Sequence, residues 1–344
     1  MKQFQCDYNQ TCHPAILDAI ARIGMEQNVG YGEDKYCDQA RTAIRKAIGR
    51  DDADVHFLVG GTQTNATVIS SILRPHQGVV AADTGHINVH ETGAIEHSGH
   101  KVLALSSKDG KISAAQIQAA IDAHYAEDGP EHTVQPGMVY ISFPTEVGTI
   151  YSKSELQSIH EVCRQNDIPL FIDGARLGYG LCSPQCDVTM HDVANLADVF
   201  YIGGTKVGAM FGEAVVITNP QLKKDFRYHI KQNGGMLAKG WLLGIQFLTL
   251  FTDDLYMRIS KHAVEQALRI RDALIECECE FYVNSETNQQ FPIMTDSRLE
   301  ILSKDFRFAE WAKLDATNTV VRICTSWATT TEDVDELICA LNAC

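Results

Sequence analysis

Apolar residues along this chain gather into short runs set between stretches of helical periodicity. The runs Val55–Val59, Gly78–Ala82, Val102–Leu105, Met138–Phe143, Ile168–Ile172, Val199–Ile202 and Ala214–Ile217 are too short for helices. Their near-continuous apolar character predicts strands buried on both faces. Two capping boxes lie between them, Ser113 with Gln116 and Ser152 with Glu155. The first precedes Ile117, Ala120 and Ile121, and the second Leu156, Ile159, Val162 and Cys163, each set on one helical face. Strands alternating with helices predict the α/β class, a mainly parallel sheet covered by helices.

After Trp241 the pattern changes. Ala263, Ala267, Ile270 and Leu274 predict one long helix, shorter apolar runs follow near Glu280, Phe291 and Val320, and a last helix is expected to start within Thr329–Thr331. We expect a large sheet domain over residues 1–245, with the N-terminal segment, and a smaller C-terminal α+β domain over 246–344. The cleft between two such lobes is where an active site is expected.

Composition narrows the choice of partners. The 44 acidic and 29 basic side chains leave a formal net charge of −15, which repels nucleic-acid backbones and anionic membranes. Eleven cysteines, an odd number, cannot all pair, so reduced thiols and a cytoplasmic protein are expected. The N-terminal MKQFQCDYNQ has no apolar core of a signal peptide, and no apolar stretch is long enough to span a membrane. Cys182 with Cys186, and Cys277 with Cys279, lack the two-residue gap typical of zinc sites, so no metal is expected there.

Four segments carry candidate chemistry. In Tyr201-Ile-Gly-Gly-Thr-Lys206-Val-Gly208 a lysine leaves an apolar strand within a glycine-rich turn, the placement of a covalent carbonyl carrier. Gly203, Gly204, Gly208 and Gly212 would let backbone approach a bulky cofactor. A single such lysine is ordinarily a solvated turn residue. In Phe171-Ile-Asp173-Gly-Ala-Arg176 a carboxylate stands at the tip of another buried strand and needs a partner, either the neighbouring Arg176 or a cationic ring nitrogen. Val59-Gly60-Gly61-Thr62-Gln63-Thr64-Asn65 leads from a strand into a helical pattern starting near Thr64. That arrangement suits a single phosphate and matches no nucleotide-binding fingerprint. Finally, Asp83-Thr-Gly-His86-Ile-Asn-Val-His90-Glu91-Thr-Gly-Ala94 offers an imidazole just past a strand, able to stack on a ring or move a proton. Its histidine spacing is not the H-E-x-x-H of a zinc helix.

Together these segments resemble the threonine aldolase branch of the β-eliminating lyase family, which uses pyridoxal 5′-phosphate (PLP) on an aspartate-aminotransferase-like fold. The resemblance extends over Tyr31-Gly-Glu-Asp34, Gly60-Gly-Thr-Gln-Thr-Asn65, His90-Glu-Thr-Gly-Ala94, Asp173-Gly-Ala-Arg176, Gly203-Gly-Thr-Lys206 and Val321-Arg-Ile-Cys-Thr-Ser-Trp327. Pro144-Thr-Glu146 with Val147-Gly-Thr149 is similar to the bacterial low-specificity subgroup. It implies that Lys206 is the Schiff-base lysine, Asp173 the partner of the pyridine nitrogen and His86 the side chain stacked on the ring. Gly61, Thr62 and Thr205 would hold phosphate, and Arg176 and Arg322 the substrate carboxylate. The serine-aspartate common in the family is Cys6-Asp7 here, which puts a weaker donor at the substrate. The implied reaction is cleavage of L-threonine or L-allo-threonine to glycine and acetaldehyde, with His86, His90, Glu91 or a water as base. A homodimer or homotetramer is implied as well. β-Elimination on the same scaffold, or a non-catalytic PLP-binding protein, would share these residues.

Overall fold

A computed structural model describes residues 1–344. Its strands, in chain order, are β1 (Lys2–Gln3), β2 (Asp54–Leu58), β3 (Gln77–Ala82), β4 (Lys101–Leu105), β5 (Gln135–Ser142), β6 (Leu170–Asp173), β7 (Val199–Gly203), β8 (Glu213–Ile217), β9 (Gln289–Gln290), β10 (Ile293–Thr295), β11 (Phe306–Arg307), β12 (Ala309–Lys313) and β13 (Asn318–Cys324).

The seven apolar runs all become strands, and they form one sheet in the order β2-β8-β7-β6-β5-β3-β4. Pairing is parallel from β4 through β3, β5 and β6 to β7, and antiparallel from β7 to β8 and from β8 to β2. Six strands therefore end at one edge, and β8 begins there. From β3 the chain steps to β4 on one side and then to β5 on the other, so the order reverses at β3. In open sheets of this kind the ligand crevice lies outside the carboxyl ends of the strands at such a reversal.

Alternating strand residues feed two cores, which explains why the runs read as apolar throughout. Val139, Ile141, Leu170, Ile172, Phe200 and Ile202 join one. Met138, Tyr140, Phe171, Val199 and Tyr201 join the other. Both capping boxes form, at the starts of the helices Ala114–Tyr125 and Lys153–Gln165. The closing helix runs Thr331–Asn342 with Thr330 as its cap, inside the expected window.

The C-terminal part is an antiparallel sheet of β9, β10, β12 and β13 with its own core around Met294, Val321 and Ile323. β1 pairs with β11, Lys2 opposite Phe306, and Phe4 sinks into that same core. The first residues thus pack with the last hundred rather than with the large sheet. The expected boundary at 245/246 is not a break in packing either. One helix, Leu255–Glu276, places Tyr256, Ile259 and Ala263 in the large core, and Ile270 and Leu274 in the small one.

Candidate active site

The carboxyl edge of the large sheet faces β12 and β13 across a cleft of about 710 Å³. Gly61, Thr62, His86, Asp173, Arg176, Thr205, Lys206 and Arg322, all singled out in the sequence, line it together. Register explains the convergence. Ser142 lies opposite Asp173, and Glu213 lies opposite both Gly203 and Leu58, so the strand tips end level with one another.

Asp173 is the most elaborated group. It is 3% exposed, and its Oδ1 accepts the Tyr201 hydroxyl at 2.5 Å and the Ala175 N–H at 3.0 Å. Oδ2 accepts the Tyr140 hydroxyl at 2.5 Å and the Asn65 amide at 3.2 Å. Burial first, and then the Asp173 charge, hold both phenols well above their ordinary pKa, so they remain donors. Every one of these donors is neutral. A buried carboxylate solvated by dipoles and joined to no cation attracts a cationic ligand. Gly174 is required beside it, since a Cβ there would fall 1.9 Å from the Tyr201 carbonyl oxygen.

Asn65 extends this network, because its amide also donates to Glu91 Oε1 at 2.8 Å. His86 Nδ1 lies 2.8 Å from the same oxygen. Burial lowers the His86 pKa, but the Glu91 hydrogen bond, with Glu146 and Asp173 nearby, outweighs it and leaves it raised. Glu91 is buried, its Oε2 is without a partner, and it sits behind His86 rather than in the cleft. His90 opens onto the cleft; partial desolvation sets its pKa below the usual value despite the pull of Glu146.

Lys206 is placed from two sides. The Tyr179 hydroxyl donates to the Lys206 carbonyl at 2.6 Å, and Tyr256 donates to the Gly203 carbonyl at 3.0 Å. The surrounding glycines correct the reading given to them above. A Cβ at Gly203, Gly204, Gly208 or Gly212 would meet protein atoms at 2.3, 2.6, 2.6 and 2.4 Å, so these residues permit tight packing of the protein on itself rather than approach to a ligand. The helix expected near Thr64 starts at Gly61, three residues sooner, and runs to Ile72 with no side-chain cap. Its first amides are free for an anion.

The two arginines differ. Arg176 grips Asp7 bidentately, Nε to Oδ2 at 2.6 Å and Nη2 to Oδ1 at 3.0 Å, and Asn288 donates to the same carboxylate at 2.9 Å. Burial disfavours the Asp7 charge, yet Arg176 and Lys206 hold its pKa below the ordinary value. Arg322 has no carboxylate partner. It donates to the Gln5 carbonyl at 3.0 Å and stacks on Trp311 at 5.7 Å, while its Nε is buried and unpaired. Cys6 is not brought into the cleft. Its thiol turns to Asn9 Oδ1 at 3.0 Å, and Tyr8 lines the wall instead.

Comparison with known proteins places this arrangement. Residues 3–297 match the beta-eliminating lyase family. The chain belongs to that family. A low-specificity L-threonine aldolase from a Pseudomonas strain is 29% identical over 99% of this chain and 97% of its own. The solved threonine aldolase of Leishmania major is 43% identical, with a TM-score of 0.97 over 100% of this chain and 99% of the other. An aspartate aminotransferase of Thermus thermophilus, at 13% identity, shares the fold with a TM-score of 0.71 over 99% and 91% of the two chains. Tyr201, Glu146, Trp311 and Glu213 also line the cleft, and Tyr140 stands behind it on Asp173; none of the five was singled out as a site residue in the sequence.

Proposed function

We propose that this protein is a PLP-dependent aldehyde-lyase that cleaves a small β-hydroxy-α-amino acid, L-threonine or L-allo-threonine, to glycine and acetaldehyde. The carrying observation is the cleft shared by Lys206 and Asp173, an amine on the turn after β7 and a buried carboxylate without a cation at the tip of β6. Likeness over full length to threonine aldolases supports the reaction.

The residues present fit the cofactor. Asp173 suits a protonated ring nitrogen, His86 a ring face, and Thr62, Thr205 and the uncapped amides at Gly61 a phosphate. Bound PLP supplies an aldehyde for the amines of Lys206 and substrate, and a ring that accepts the electron pair released at the α-carbon.

The protein's own groups then divide the work. Arg322, the one cleft guanidinium free of a carboxylate, binds the substrate carboxylate; Arg176 keeps Asp7 and braces the wall. His90 is the group placed to take the β-hydroxyl proton, since its lowered pKa keeps the ring neutral and it opens to the cleft. Glu91 cannot easily serve, being committed to Asn65 and His86. The eleven unpaired cysteines are consistent with a reducing, cytoplasmic setting. Exposed Met25, Val29, Tyr31 and Tyr228 favour a homo-oligomer.

Incubating purified protein with PLP and either threonine diastereomer, then measuring glycine and acetaldehyde, tests the reading. Ammonia and a keto acid in their place would assign β-elimination instead.

A further inference from the structure

Glu213 is a carboxylate that the proposed reaction does not use, yet it stands in the cleft wall. It opens β8, is 3% exposed, and lies opposite Leu58, two residues before the Gly60-Gly61 turn. Strand alternation turns it to the same side of the sheet as Tyr201 and Asp173. Its Oε2 accepts the Gly204 N–H at 2.9 Å, and Thr205, whose hydroxyl accepts the Gly212 N–H at 3.0 Å, flanks it. Glu213 therefore sits within the group of residues proposed to hold phosphate, where an ionised acid would repel the ligand.

The polar and titratable groups that act on it lie on β6, on β7 and the turn after it, and on one helix. Lys206 and Thr205 on the turn after β7 favour its charge, and Asp173 at the tip of β6 opposes it. Tyr201 on β7 and Tyr256 on the helix Leu255–Glu276 are phenols that feel its charge. Burial is the largest effect, and the carboxyl is pushed up to about 7. A phosphate brings ~1.5 to 2 further negative charges and three acceptor oxygens. Beside it, a neutral carboxyl donates one hydrogen bond, whereas a carboxylate has only acceptors to offer.

We infer that Glu213 binds the phosphate end of the cofactor as a neutral acid, so that docking of this end draws a proton onto Glu213. This rests on the PLP reading above. The proton comes from solvent and remains on a Glu213 oxygen, and no covalent bond changes. By linkage, phosphate-dependent affinity weakens by up to about tenfold per pH unit above the free carboxyl's pKa.

The test titrates cofactor-stripped protein with pyridoxamine 5′-phosphate and with pyridoxamine, neither of which can condense with Lys206, between about pH 6 and pH 9. The wild-type preference for the phosphorylated ligand should fall about tenfold per unit above neutrality, while in Glu213→Gln the same preference should follow only the ligand's own titration. Calorimetry of the wild type in buffers of different ionisation enthalpy should show proton uptake with the phosphorylated ligand and less with pyridoxamine. Matching pH slopes in the two proteins, or no excess uptake, would overturn the role of Glu213 and leave the PLP reading standing. Failure of pyridoxamine 5′-phosphate to bind either protein would remove both.

Discussion

Arg176 and Asp7 meet inside the cleft wall in a two-pronged ion pair, with N–O distances of 2.6 and 3.0 Å and almost no solvent contact. The pair joins the start of the chain to the segment after β6. It also separates two arginines that look equivalent in the sequence.

Removing one partner strands a buried charge. Asp7→Ala should destabilise the fold by about 3–5 kcal/mol in denaturant unfolding. Because the Asp7 pKa is lowered in the folded protein, its contribution is present above the ordinary carboxylate range and is lost as pH falls through the lowered folded value. Wild type should therefore lose stability on acidification more steeply than Asp7→Asn, and parallel curves would count against the pair.

Arg322 is tied only to a backbone carbonyl and an indole ring. Arg322→Ala should leave the unfolding midpoint nearly unchanged and raise KM for threonine about 10- to 100-fold, the loss of one charge-assisted contact. An unaltered KM would take it out of the substrate site.

Lys206 carries the proposed covalent attachment. Lys206→Ala should fold, lose the visible absorption of lysine-bound cofactor and lose nearly all turnover. A persistent lysine-bound band would point to another amine.

His90 should set an acid limb. Its pKa lies below the ordinary histidine value, so a role as proton acceptor requires the neutral ring and fails as pH drops through that lowered value. His90→Phe should lower kcat by about 10²- to 10⁴-fold and flatten that limb. A variant keeping both rate and limb would move the role to His86 or to water.

The large sheet was legible because a strand buried on both faces writes a continuous apolar run, as at Val199–Ile202. The small lobe was less so. β12 (Ala309–Lys313) is half exposed and charged, and β1 is too short to show any period. At the cleft, Asp173 and Lys206 stood out as polar residues ending apolar strands. Tyr140 and Tyr201 lay inside such runs and read as core, although a tyrosine in an aliphatic strand needs a partner for its hydroxyl. The helix at Gly61 began sooner than its composition suggested, since glycine and threonine are weak helix formers and the exit of β2 sets the start. The Asp7–Arg176 pair spans 169 positions, a distance over which no local pattern exists. Cys6 came from resemblance alone, and the local backbone gave its place to Tyr8.

The pairing of Lys2 with Phe306, and of the Cys324 amide with the Phe4 carbonyl at 2.7 Å, ties the segment just before Asp7 to β11 and β13 of the small lobe. During synthesis the segment Lys2–Phe4 has no partner until Phe306 and Cys324 have left the ribosome, long after Arg176 has become available to Asp7. A nascent chain can finish its large sheet early, but the catalytic chamber lacks a wall until β12 and β13 dock against that sheet.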